Sequence, residues 1–167
     1  MGETYTKLLS YSMYALGRRN HTVSQLRDKM LKRLQKWKIQ ESQHEELCDQ
    51  VIVRLRELHL LDDLLFCERW VADRARFKPR GRYLLTQELR KKGIPQDIIE
   101  LYWESASGEA LDEYNLALEF VQKQLERLKR RDLPHQKCRE KLYRALASRG
   151  FNGSAIRASL DKVEHLY

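Results

Sequence analysis

The chain has 167 residues, 34% of them charged, with a formal net charge of +8. That length suits one domain of ordinary size, and the basic excess points to acidic partners rather than to a particular fold. Only three prolines and seven glycines occur, too few punctuating residues for many hairpin turns, so a helical chain is expected.

The apolar pattern predicts a first helix over Thr4–Arg18, with Leu8, Tyr11 and Ala15 on one face. A second helix is expected from Thr22. Thr22 and Gln25 match the capping-box spacing, in which each side chain satisfies a free backbone N–H of the other. Leu26, Met30, Leu31 and Leu34 form its inner face. A third helix covers Ser42–Leu58, with Leu47, Val51, Leu55 and Leu58 inward. Asp62 or Asp63 then caps a helix to Phe77, whose Phe66, Trp70 and Phe77 share a side. After the break Lys78-Pro79-Arg80-Gly81, a helix from Tyr83 to Lys92 presents Leu85 and Leu89, and Gly93 ends it. Pro95 opens a helix through Ile98, Ile99, Tyr102 and Trp103. A long helix over Glu109–Arg130 follows. The next starts at Leu133-Pro134 and ends at Gly150, and the last is capped by Ser154.

These nine helices repeat. Leu85, Leu89, Gly93, Ile94 and Ile99 match Leu142, Leu146, Gly150, Phe151 and Ile156 at a constant offset of 57. Leu26 and Met30 fill the same two inner positions in the first third of the chain, followed by a longer turn without the glycine. The expected fold is all-α, an elongated array of three tandem three-helix, helix-turn-helix-like repeats over residues 1–60, 61–107 and 108–167.

Charge follows the repeat. Residues 18–38 hold eight positive side chains against Asp28, residues 69–93 hold nine against Asp73 and Glu88, and residues 127–144 hold eight against Asp132 and Glu140. One such cluster would be an ordinary solvated face, but three in equivalent places suggest an anion-binding surface, most simply for a nucleic-acid backbone. The residues assigned to it are Arg27, Lys29, Lys32 and Arg33 in the first repeat. The second repeat supplies Arg74, Arg76, Lys78, Arg80, Arg82, Arg90 and Lys91, and the third Lys137, Lys141 and Arg144. The third helices are acidic: residues 97–119 carry seven carboxylates and no lysine or arginine. They would suit basic surface on a partner that carries both signs of charge.

No catalytic signature is present: there is no P-loop, GxSxG, HExxH or CxxC. No enzyme activity, cofactor or metal is expected. His44 and Cys48 lie one helical turn apart, but nothing near them in sequence completes a ligand set. The three separated cysteines fit a reducing compartment, and without an apolar span the chain is expected to be cytoplasmic with no membrane partner.

The run Leu60-Leu61-Asp62-Asp63, with Phe66, Trp70, Val71 and Arg74 after it, resembles the signature of RecX regulatory proteins. Gln87-Glu88-Leu89-Arg90, Lys92-Gly93-Ile94, His21-Thr22 with Leu26-Arg27, and Arg149-Gly150-Phe151 with Ile156 are similar to further segments of that family. The resemblance implies tandem three-helix repeats and a binding role. RecX proteins modulate RecA recombinase, usually by inhibiting it. They bind the RecA–DNA filament in its helical groove and also bind DNA directly. The expected partners are therefore the RecA filament and single- and double-stranded DNA, engaged by a monomer. The alternative is a stand-alone helix-turn-helix-type nucleic-acid-binding protein, marked by sequence-specific affinity without RecA.

Overall fold

The computed structural model describes residues 2–109, 111–130 and 133–164, excluding the side chains of Glu109 and Lys129. Among the described residues every regular element is helical. The first repeat holds α1 (Gly2–Arg18), α2 (Val23–Lys36) and α3 (His44–Glu57), the last entered through a single 3₁₀ turn at Glu41–Gln43. The second holds α4 (Asp63–Phe77), α5 (Arg82–Lys91) and α6 (Gln96–Glu104). A four-residue helix, α7 (Ala106–Glu109), leads to the third, which holds α8 (Glu113–Lys129), α9 (His135–Ala147) and α10 (Gly153–Lys162). The fold is a tandem array of three-helix repeats, as the sequence pattern indicates.

The chain forms two compact units. One comprises residues 1–67 and 89–101, the other 68–88 and 102–167, so the middle repeat is divided between them. The first unit closes over Leu8, Leu26, Met30, Leu34, Leu47, Val51 and Leu55, all essentially without exposure. The second closes over Ala117, Phe120, Val121, Leu125, Leu142, Leu146, Phe151, Ile156 and Leu160. Each set repeats every three or four residues, the spacing that brings one face of a helix to the core.

Local signals fix the helix ends. Thr22 accepts from Gln25 N at 3.1 Å while Gln25 Oε1 accepts from Thr22 N, completing the capping box. Asp62 Oδ1 accepts from the N–H groups of Leu64 and Leu65 and so caps α4. Asp63 is buried and reaches away instead, accepting from Val23 N in the first turn of α2 at 2.9 Å.

The same C-terminal turn closes the second helix of every repeat. Gly93 has φ +78° and Gly150 has φ +75°. Ile94 N and Phe151 N each bond back five residues, to the carbonyls of Leu89 and Leu146. In the first repeat this left-handed position is taken by Lys38 at φ +58°, and Ile39 N bonds to Leu34 O at 3.1 Å. That corrects the alignment expected from sequence. Counted from this turn, Met30 and Leu34 are the partners of Leu85 and Leu89. The turn is no longer than the others; the four residues by which α2 exceeds α5 form an extra helical turn, which α9 also has. Leu26 matches Leu85 only when both are counted from the N-terminus of the helix.

Two further expectations fail at helix ends, the Ser154 cap and the inward Leu58. Asn152, not Ser154, caps α10, because its Oδ1 accepts from Ala155 N at 2.8 Å while the Ser154 hydroxyl donates to that same oxygen. Leu58, one residue past α3, is 39% exposed, and Phe77, the last residue of α4, is 67% exposed.

A matching joint occurs once in each unit. In the first, the Thr22 hydroxyl donates to Lys92 O at 2.7 Å, and a Cβ on Gly93 would meet Ser24 Oγ at 2.4 Å. In the second, Gly81 N donates to Arg149 O at 2.9 Å, and a Cβ on Gly150 would meet Leu84 Cβ at 2.6 Å. In both, the start of one repeat's second helix lies against the closing turn of the next repeat's second helix. Glycine is required there twice over, for its φ and for the approach.

Candidate nucleic-acid interface

The fourteen cations assigned from sequence separate into two groups. The first group is engaged by the protein itself. Arg27, on α2, donates through Nη1 to Glu45 at 2.6 Å and through Nη2 to Asp49, both on α3. The Asp49 carboxylate holds its guanidinium charged even more firmly than usual. Arg33 lies over the Tyr11 ring at 4.2 Å and near that of Trp37 at 5.8 Å. Arg90 donates to Gln96 Oε1 at 2.9 Å.

In the second unit Glu88 is the hub. Its Oε2 accepts from Trp70 Nε1 and from Arg74 Nε, each at 2.9 Å, and its Oε1 pairs with Arg80. The Arg74 guanidinium also stacks on the Trp70 ring at 4.1 Å. Arg82 lies over Trp103 at 4.8 Å, and Arg144 is 3.8 Å from Glu140 one turn away.

Arg27, Arg82 and Arg139 occupy one position of the repeat when counted from the closing turn of the second helix. Each turns onto its own third helix: Arg27 to Asp49, Arg82 to Trp103, and Arg139 to Asp161 at 2.6 Å. Asp49 and Asp161 are likewise equivalent. The acidity of the third helices is thus partly neutralised inside the first and third repeats, which reduces what those helices can offer a basic partner; in the middle repeat the arginine lies on a neutral ring.

The second group faces solvent. Lys32, Lys78, Lys91, Lys137, Lys141 and Arg76 are exposed and Lys29 half-buried. None of these seven forms an ion pair among the described residues; Arg76 lies over the Phe77 ring at 5.1 Å. Lys29 and Lys32, and then Lys137, Lys141 and Arg144, fall at three- and four-residue spacing, which places each set on one helix face. These faces lie beside the buried rows Met30–Leu34 and Cys138–Leu142–Leu146. Of the third cluster, Arg131 and Asp132 lie outside the described residues, and the Lys129 side chain is not described.

Several organising groups carry no local signal in the sequence. Glu113 accepts from Arg82 N, Asn152 N and Asn152 Nδ2, so one carboxylate joins the starts of α5 and α10. His21 is buried. Its Nδ1–H donates to Arg19 O at 2.9 Å, leaving Nε2 as the bare lone pair, and burial lowers its pKa. His44 Nε2–H donates to Ile39 O at 2.9 Å, and burial pushes the neighbouring Cys48 thiol up to about 11. Both are therefore committed to packing. The described residues contain no cluster of potential metal ligands and no helix long and apolar enough to cross a membrane.

These features define a class: an all-helical protein of three tandem three-helix repeats whose second helices carry outward cations. Comparison with known proteins narrows it. The RecX second three-helix domain matches residues 62–101, and the RecX third three-helix domain matches residues 112–160. The regulatory protein RecX of Prosthecochloris aestuarii is 36% identical over 157 residues, covering 94% of this chain and 93% of that one. That of Deinococcus radiodurans is 32% identical over 162 residues, covering 96% and 70%. The crystal structure of RecX from Lactobacillus salivarius matches with a TM-score of 0.74 at 18% identity, over 99% of both chains. The chain belongs to the RecX family of regulatory proteins.

Proposed function

We propose that this chain is a non-enzymatic regulator that binds the RecA–DNA filament and inhibits RecA recombinase, acting as a cytoplasmic monomer. The observation that carries the reading is the solvent-facing cation set, present in all three repeats of a chain that matches RecX along nearly its whole length. In this reading Lys29 and Lys32, Arg76, Lys78 and Lys91, and Lys137 and Lys141 contact phosphates of single- or double-stranded DNA. A lysine with no internal partner has no ion pair to give up when a phosphate arrives, so these residues favour binding more than Arg27 or Arg74 can. RecA hydrolyses the ATP; this chain alters the rate.

The test is RecA-dependent ATP hydrolysis and strand exchange with the chain titrated in. Both should fall to a plateau, and no change at saturating amounts would remove the proposal. Co-sedimentation separates it from a stand-alone DNA-binding role. The chain should pellet with RecA–DNA far better than with DNA alone.

A further inference from the structure

Phe77 closes α4 with 67% of its surface exposed, between the cations Arg74 and Arg76 on one side and Lys78 and Arg80 on the other. The ring is one wall of a cleft of about 510 Å³ lined also by Lys78, Pro79, Arg80, Phe120 and Arg149. All of these belong to the second unit. Phe120 is nearly buried, and the Arg149 guanidinium lies over it, 4.3 Å from the ring centre. Arg149 is held there by its bond to Ala145 O at 2.8 Å. The cleft therefore presents the largely exposed Phe77 ring, which Arg76 overlies at 5.1 Å from the ring centre, and a guanidinium anchored on Phe120. Lys78 is exposed and forms no ion pair among the described residues, and the Arg80 charge is shared with Glu88. Among the described residues no carboxylate lines the cleft.

Aromatic and guanidinium surfaces beside an unpaired lysine select for a planar aromatic group attached to an anion. A nucleobase on its sugar-phosphate satisfies both, and the volume lies within the range of sites for ligands of that size. A paired and stacked base cannot offer its face to such a cleft, so the group must come from an unpaired strand.

We infer that the Phe77–Arg149 cleft is a base-stacking subsite for single-stranded nucleic acid, with Phe77 as the platform and Lys78 and Arg80 on the adjoining phosphates. The inference rests on the proposed nucleic-acid binding and adds to it a requirement for the base itself. Phosphate contacts elsewhere on the chain do not distinguish a strand with bases from one without.

The experiment measures affinity of the full chain, wild type and Phe77→Ala, for three probes of equal length. They are a thymidine oligonucleotide carrying one 2-aminopurine, an abasic oligonucleotide, and a blunt duplex. Phe77 is largely exposed, so the variant should melt where the wild type does. Phe77→Ala should lose about tenfold on the thymidine strand, from the usual worth of one base–aromatic stack. It should also lose the 2-aminopurine quench, and leave the abasic and duplex affinities unchanged. Phe77→Trp should restore both. Equal affinity of the wild type for thymidine and abasic strands overturns the subsite, as does an equal loss on all three probes. So does a Phe77→Ala variant that keeps its oligonucleotide affinity but no longer alters RecA hydrolysis, which would make the cleft a protein-docking site. A wild type that binds none of the probes overturns the DNA-contact reading of the lysines, and the subsite with it.

Discussion

Replacing Glu88 with glutamine is expected to weaken the fold slightly and to strengthen DNA binding. The carboxylate is 15% exposed and holds Trp70 Nε1 and two arginines that are themselves 24% and 32% exposed. Glutamine keeps one oxygen for the indole N–H but removes the charge that both guanidinium groups face. Losing two partly exposed charge-assisted bonds costs about 1–2 kcal/mol, a fall in Tm of about 3–6 °C for a chain of this length. A phosphate on the outer side of the Arg80 guanidinium would lie about 7 Å from the carboxylate, two charge-assisted bond lengths plus the guanidinium width. At an effective dielectric constant of about 40–80, Coulomb's law gives a repulsion of about 0.6–1.2 kcal/mol. Removing it should raise affinity about three- to eightfold at low salt. Fluorescence anisotropy with a labelled single strand across 50–200 mM salt measures this, with thermal melts alongside. If affinity falls while the variant remains folded, Glu88 orients Arg74 and Arg80 for phosphate rather than competing for them, and the division of cations into engaged and available groups is wrong there.

The closing turns should respond in opposite directions. Lys38→Gly relieves a left-handed lysine and should gain about 0.5–1 kcal/mol. Gly150→Ala adds strain and a Cβ 2.7 Å from Leu84 N, and should lose more than about 2 kcal/mol. Chemical denaturation of both checks the pair. Replacing Lys137 and Lys141 by alanine should lower DNA affinity and flatten its salt dependence by about one phosphate contact each. Arg27→Ala should leave both unchanged and cost at most about 1 kcal/mol of stability. His21 is neutral in the fold, its pKa lowered chiefly by burial. The unfolded chain protonates it near pH 6.5, so its stabilising contribution is present above that pH and is lost as pH falls below it. Melting curves from pH 7.5 to 5 should show a smaller acid loss in His21→Gln than in wild type.

What the sequence made legible was local or periodic. The Thr22–Gln25 capping box spans three residues, and the Leu85–Leu89–Gly93 row recurs 57 positions later with the same burial and the same positive φ. The closing turn of the first repeat was hidden because lysine at position 38 gives no left-handed signal, so the extra turn of α2 read as a longer loop. Asn152 and Ser154 are both good caps, and only the bond to Ala155 N decides between them. The Glu113 hub was invisible for another reason: its partners lie 31 and 39 residues away, and nothing in spacing says which carboxylate will meet which helix start. Cation clusters could be counted in the sequence, but which members are already engaged could not.

That last distinction follows side-chain chemistry. Among the described residues the half-buried arginines are 27, 33, 74, 80, 139 and 149, and each lies on a carboxylate or an aromatic ring. The lysines assigned to the interface lack such partners and, apart from half-buried Lys29, are exposed. A planar guanidinium loses less hydration on burial, stacks on rings and bonds two oxygens at once, so it fastens helix to helix well. An ammonium is a compact, strongly hydrated charge on a flexible stem, suited to phosphates whose positions vary along a strand. In this fold, therefore, a cluster's net charge overstates its capacity to bind an anion. On the proposed reading the exposed lysines, with Arg76, set that capacity across the three repeats, and the half-buried arginines stiffen the scaffold that presents them.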